Sequence, residues 1–289
     1  MRARLAEAIG LDPNGIASMA LSQPAALVAG FAISVWLVLL LAQREHFDRR
    51  PVAELLIAAY AGALTGGRAL DALAWGSAFW REPWRVLDPW FGGASTLGGL
   101  IGGALATAIW ARRLRLDGIR FLDAIAPVAG ITVACFKIGC LLAGCCFGAR
   151  SHSVFAVRFP ASSMVYQHQL AAGLIDQHYR LSLPVHPVQA YEAAWGLAVA
   201  ALLLALRRRL QPRIGARVAL AAALLLVGRL AIEFLRAPVG SRWLGLSSSQ
   251  LASVAGLAAL AWLALHRTGR ARLLAWFRPP PAPPRSPSG

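Results

Sequence analysis

The stretch "RRLRLDGIRFLDAIAPVAGITVACFKIGCLLAGCC", residues 112–146, runs from a turn with four arginines straight into an apolar segment that continues to residue 147. A helix needs about 20 predominantly apolar residues to cross the hydrocarbon core of a bilayer, and residues 121–147 are long enough. Inside that run lie the only lysine of the chain, Lys137, and all four cysteines, Cys135, Cys140, Cys145 and Cys146. Every other basic residue is one of 28 arginines.

The same alternation extends over the whole sequence. The chain has 289 residues, 57% of them apolar, and a mean hydropathy of +0.56. That is too apolar and too poor in charge for an ordinary soluble domain. The net charge of +16 does not point to nucleic acid, because the arginines recur in short clusters between apolar runs rather than on one face or tail. The cysteines sit too close together for the disulfide framework of a small secreted domain. The first apolar run is too long for the core of a cleavable signal peptide and reads as a retained helix.

Seven runs reach spanning length, near residues 23–42, 52–78, 95–111, 121–147, 188–206, 218–236 and 249–266. The connecting segments 43–50, 112–120 and 207–217, with the tail after His266, carry 17 arginines, whereas the opposite set carries 8. The positive-inside rule then predicts an all-α integral membrane protein of seven transmembrane helices. Its N-terminus lies outside and its C-terminus in the cytoplasm. Residues 1–22 form a short outer segment, 23–266 the membrane domain, 149–187 a small outer head, and 267–289 a Pro- and Arg-rich tail disordered at its end. Within the head, "MVYQHQLAAGLIDQHY" (164–179) reads as helical. The tryptophans of 79–94 read as headgroup anchors.

Ionisable residues inside spanning segments are costly and tend to face a cavity or a partner. Here they are Arg68, Asp71, Asp123, Lys137, Glu192, Arg229, Glu233 and Arg236. Arg229, Glu233 and Arg236 fall on one helix face. That arrangement is compatible with a self-satisfied ion ladder, but Arg229 and Lys137 leave positive charge over, which predicts an anionic ligand such as a phospholipid phosphate. Five residues separate Cys135, Cys140 and Cys145 in turn, a net rotation of about 140° on a regular helix. The thiols therefore diverge, and packing or lining a loop fits them better than a metal or redox site. Gly139, Gly144 and Gly148 allow a helix break there, so this run reads as a pocket wall.

Several ordered blocks carry a resemblance to the bacterial prolipoprotein diacylglyceryl transferases: "GGASTLGGLIGG", "LDAIAPVAG", "HPVQAYEA", "GRLAIEFLRAP" and "LSSSQLASV". What the resemblance implies is a seven-helix enzyme of the bacterial inner membrane. It would move the diacylglyceryl group of phosphatidylglycerol to the lipobox cysteine of a prolipoprotein signal peptide and release glycerol phosphate. Under it Arg229 and Lys137 serve as catalytic residues that bind the lipid phosphate. Glu233, Arg236, Gly98, Gly99, His186, Gln189, Tyr191 and Glu192 shape the same cavity. No metal, no cofactor and no nucleic acid is implied. The chain departs from the family pattern in its centre, where Lys137 stands for an arginine, Cys140 and Ala143 for asparagines, and Cys145 for an acid. Leu97 stands where the family has a histidine.

Two other readings compete with transfer to a lipobox thiol. One is a lipid-binding or lipid-moving relative without this chemistry, or with another acceptor. The other is a thiol redox or metal protein built on Cys140, Cys145 and Cys146.

Overall fold

The computed structural model describes residues 16–74, 96–237, 242–243 and 245–266. Among these the chain is mostly helical: α1 (Ile16–Arg44), α2 (Arg49–Ala74), α3 (Thr96–Arg113), α4 (Gly118–Ala143), α5 (Met164–Ala171), α6 (Val188–Ala205), α7 (Arg207–Leu210), α8 (Ala216–Glu233) and α9 (Ser248–Leu265). A two-stranded antiparallel ribbon, β1 (Arg242–Trp243) and β2 (Leu246–Ser247), precedes α9. A helix covers most of the described part of each of the seven apolar runs. Three of them, α4, α6 and α9, are long and apolar enough to cross a membrane, and Val28–Arg44 is a shorter apolar stretch. The α8 helix is continuous, but Arg217, Arg229 and Glu233 break its apolar sequence. Most of the N-terminal segment 1–22, the tryptophan stretch 79–94 and the tail 267–289 lie outside the described residues.

The described residues form two compact units. In the unit of Leu39–Ala124, α2 and α3 meet along glycines. A side chain on Gly98 would run into Leu70 Cβ at 2.6 Å, and one on Gly66 into Gly102 Cα at 2.8 Å. Small residues four apart on both helices let the backbones approach, the usual solution where lipid is as apolar as leucine and hydrophobicity alone cannot drive helices together.

The other unit holds the described residues up to Val38 together with Ile125–Leu265. Its central contact pairs α4 with α6: a side chain on Gly196 would reach Gly130 O within 2.5 Å. Ser34 and Thr132 hydroxyls hydrogen-bond at 2.9 Å between α1 and α4, and Trp195 Nε1 donates to Leu224 O at 2.8 Å between α6 and α8. Ala126, Val199, Leu203 and Ala221 form an apolar cluster among α4, α6 and α8.

The α4 helix ends abruptly. Gly144 adopts φ +65°, its N–H donates to Leu141 O at 3.3 Å, and the Cys145 N–H reaches back to Cys140 O at 3.1 Å. This pair of bonds around a left-handed glycine is a Schellman stop. Residues 148–187 then fold into a small lobe held by bridges such as Arg150 to Val185 and Pro160 to Leu181. Phe159, Val165 and Val185 form its core. The helix expected over 164–179 is only α5. A second Schellman stop at Gly173 (φ +67°), with Leu174 N–H on Gln169 O at 2.9 Å, ends it early.

The α4–α6 crossing yields a direct test. Gly196→Val should destabilise the protein by about 1–3 kcal/mol, the range for overpacking a close contact. Leu197→Val on the adjacent exposed face should stay within about 0.5 kcal/mol. Unfolding midpoints of the detergent-solubilised chains check both.

Candidate functional site

On α4, Lys137 lies seven residues beyond Gly130, so it shares the face that meets α6. On α6, Gln189 and Glu192 precede Gly196 by seven and four residues and point back at α4. The close glycine contact therefore brings a lysine and a carboxylate together. Lys137 Nζ pairs with Glu192 Oε2, and Arg229 Nη1 from α8 pairs with Glu192 Oε1. The Glu192 side chain is only 6% exposed. Burying a carboxylate that deep is costly without such partners.

The ladder continues along α8. Arg229 Nη2 lies 3.1 Å and Arg236 Nη1 3.4 Å from Glu233 Oε2. Arg236 is not on the helix itself: α8 stops at Glu233, and Arg236 follows a turn and bridges to Gly148. The start of α9 closes the ladder. Ser247 N–H donates to Gln250 Oε1 at 2.9 Å and Gln250 N–H to Ser247 Oγ at 3.2 Å. This is a reciprocal capping box written in the sequence as Ser-x-x-Gln. Ser247 Oγ also donates to Glu233 Oε1 at 3.0 Å, and Arg229 Nε donates to Ser249 Oγ at 2.7 Å.

This corrects the expectation that Lys137 and Arg229 stand unpaired. Both are held by Glu192, which lies on a different helix and could not be matched to them by spacing. The network of three cations and two carboxylates still carries one positive charge in excess. Its most open members are the guanidinium groups, with Arg229 30% and Arg236 23% exposed. A guanidinium fork suits the paired oxygens of a phosphate better than an ammonium does.

Around this network, Gln189 is fully buried and donates through Nε2 to Cys145 O at 2.6 Å. His186 and Tyr191 face each other, Nδ1 to Oη at 3.4 Å, and His186 exchanges backbone hydrogen bonds with Gly148 and Ala149. The histidines of the lobe serve elsewhere. His168 packs edge-on against Phe147, and His178 forms an exposed pair with Asp176. Gly98 and Gly99 belong to the α2–α3 crossing in the other unit. Ser247, Ser249 and Gln250 were not foreseen as site residues, although their Ser-x-x-Gln pattern is visible in the sequence.

The thiols differ from expectation as well. The stop at Gly144 turns the chain back over the end of α4, so Cys140, Cys145 and Cys146 gather, with their sulfurs within 4.8 Å of one another. Cys146 adopts φ 56°, rarely seen outside glycine, asparagine and aspartate. Beyond the helix end, its thiol is pushed well below the ordinary thiol range. Hydrogen bonds from Cys140 and Cys145 act first, and the charges of Arg236 and Lys137 add to them against the effect of burial.

The sequence profile of the prolipoprotein diacylglyceryl transferases matches residues 24–266. A protein of Xylella fastidiosa (strain M12) named phosphatidylglycerol–prolipoprotein diacylglyceryl transferase is 32% identical over 200 residues, 64% of this chain and 66% of that relative, so the match spans just under two thirds of the relative's length. A Pseudoalteromonas atlantica protein of the same name is 28% identical over 251 residues, covering 81% of this chain and 82% of the relative. A second enzyme of that name in Clostridium perfringens is 27% identical over 213 residues, covering 73% of this chain and 77% of the relative.

Glu192 is the hub of the charged network, and its removal should show it. Glu192→Gln leaves two inward cations short of a carboxylate and should lower stability by about 3–5 kcal/mol. Adding Lys137→Gln should return at least about 1 kcal/mol, read as the coupling energy of a double-mutant cycle on unfolding.

Proposed function

The chain belongs to the prolipoprotein diacylglyceryl transferase family, and we propose that it transfers the diacylglyceryl group of phosphatidylglycerol to a lipobox cysteine thiol. The observation that carries this reading is the cationic network of Lys137, Arg229 and Arg236, tied through Glu192 and Glu233 and keeping one positive charge in excess. Arg229 and Arg236, the most open members, receive the phosphodiester. Lys137, held inward by Glu192, adds to the field that stabilises the glycerol phosphate as it leaves. Such preorganised charge is the largest catalytic contribution available when no solvent can rearrange. The acceptor sulfur forms a bond to the glyceryl carbon, the carbon–oxygen bond to phosphate breaks, and the electron pair departs with glycerol phosphate.

His186, Gln189 and Tyr191 line the same region at the start of α6, and Gly98 and Gly99 set the α2–α3 packing of the domain. The seven helices over the apolar runs and the arginine asymmetry support a seven-span topology in the bacterial inner membrane, N-terminus outside. The lobe of residues 148–187 then forms the outer head, where a prolipoprotein signal peptide emerges, and the acceptor is taken from that side.

The decisive assay combines the full chain, phosphatidylglycerol liposomes and a lipobox peptide, with the peptide mass as readout. A diacylglyceryl gain is expected. Arg229→Ala should slow it by about 10²–10³-fold, the effect of removing one preorganised donor, whereas Arg158→Ala on the exposed lobe should leave the rate unchanged. No mass gain, while the protein still binds phosphatidylglycerol, would replace this reading with a lipid pocket that serves another acceptor or no transfer.

A further inference from the structure

The transfer chemistry leaves one requirement unmet by the charged network. An acceptor thiol is a poor nucleophile until it loses its proton, and the ladder of Lys137, Glu192, Arg229, Glu233 and Arg236 stabilises the leaving group rather than the sulfur. The unexplained feature beside it is the thiol cluster. Cys140, Cys145 and Cys146 are all free, and their three sulfurs lie within 4.8 Å of one another. Three sulfurs on a tetrahedral zinc ion, each at about 2.3 Å, stand about 3.8 Å apart, so small side-chain rotations close the cluster to that geometry. Cys140 is buried at the end of α4, while Cys145 and Cys146 are half-buried and leave the cluster approachable.

Two further observations point to an occupant. The backbone is forced to build the cluster: the Schellman stop returns Cys145 over Cys140, and Cys146 is held in a left-handed conformation that must be sustained by its surroundings. Next to it, the fully buried Gln189 anchors Cys145 through Nε2, yet its Oε1 is buried and accepts no hydrogen bond among the described residues. That oxygen is available to a donor group arriving at the cluster. No fourth His, Cys, Asp or Glu among the described residues joins the group. Three protein ligands with an open fourth position is the pattern of a zinc site that takes a substrate.

We propose that Cys140, Cys145 and Cys146 bind one zinc-type divalent cation whose open position takes the acceptor cysteine as a thiolate. This rests on the transferase reading above. A thiol that coordinates such an ion gives up its proton, here to water, and keeps a nucleophilic sulfur lone pair. The thiolate then forms the carbon–sulfur bond as the carbon–oxygen bond to phosphate breaks. The negative charge it brings leaves on glycerol phosphate, the lipid monoanion becoming the phosphate dianion, with no oxidant or reductant involved.

The test uses the reduced full chain in phosphatidylglycerol nanodiscs, titrated with cobalt(II) as a coloured zinc substitute. One cobalt per chain, with the absorption of tetrahedral thiolate coordination and displacement by zinc(II), is expected. Cys140→Ser, Cys145→Ser and Cys146→Ser should each weaken uptake more than about 100-fold, beyond what loss of an outer-shell partner does. Cys135→Ser, outside the group, should bind as the parent does. Retained phosphatidylglycerol binding by each variant confirms that it is folded. A lipobox peptide should alter the cobalt spectrum, and the same peptide with serine for its cysteine should not. Failure to take up cobalt, or uptake that survives all three substitutions, overturns the site. Uptake that ignores the thiol peptide overturns its role toward the acceptor. Full-rate transfer by the chain lacking all three thiols overturns that role and keeps the transferase reading. A cobalt site that takes the thiol without any transfer upholds the site and removes the transferase reading instead.

Discussion

The buried carboxylate of Glu192 is the constraint around which the larger unit is organised. It sits on α6 between a lysine from α4 and an arginine from α8. Apolar packing contributes little specificity between helices in lipid, since the membrane itself is as apolar as their faces. A shared carboxylate does what leucine contacts cannot. It fixes the rotation of three helices at once, because any other rotation would leave a charge inside the bundle without its partner. The glycine contact of Gly130 and Gly196 brings the backbones close enough for that geometry, and the start of α9 docks onto the same ladder through Ser247 and Ser249.

Much of this was legible in the sequence. Apolar runs of spanning length became helices because each buries its own backbone hydrogen bonds, and Gly144 marked the break in α4 as its backbone freedom suggested. The Ser-x-x-Gln of the last quoted block became the cap of α9. What the sequence hid is long-range pairing. Spacing along α8 shows that Glu233 can meet Arg229 and Arg236, but nothing local says that Glu192, 37 residues before Arg229, is shared with Lys137. The charge left over was therefore overestimated, although one positive charge in excess does persist.

The cysteines show the same limit from the other side. Their spacing of five scatters them on a regular helix, and the reading of separate packing roles followed from that regularity. Spacing alone does not contain the consequence of a left-handed Gly144, a Schellman stop that reverses the chain and carries two thiols back to the third. Likewise, a run of sixteen residues with helical character yielded a helix of eight, because Gly173 intervened. In both places one left-handed glycine outweighed the propensity of its neighbours.

The capping box at α9 has a dynamic side. Ser247 uses its backbone N–H and hydroxyl in the cap and the same hydroxyl on Glu233, so the ribbon ahead of the helix, the first helical turn and the carboxylate share a single latch. None of the three can loosen alone. Local opening there is a concerted event with one free energy, so the amides of Ser247 and Gln250 should exchange with solvent at matched rates.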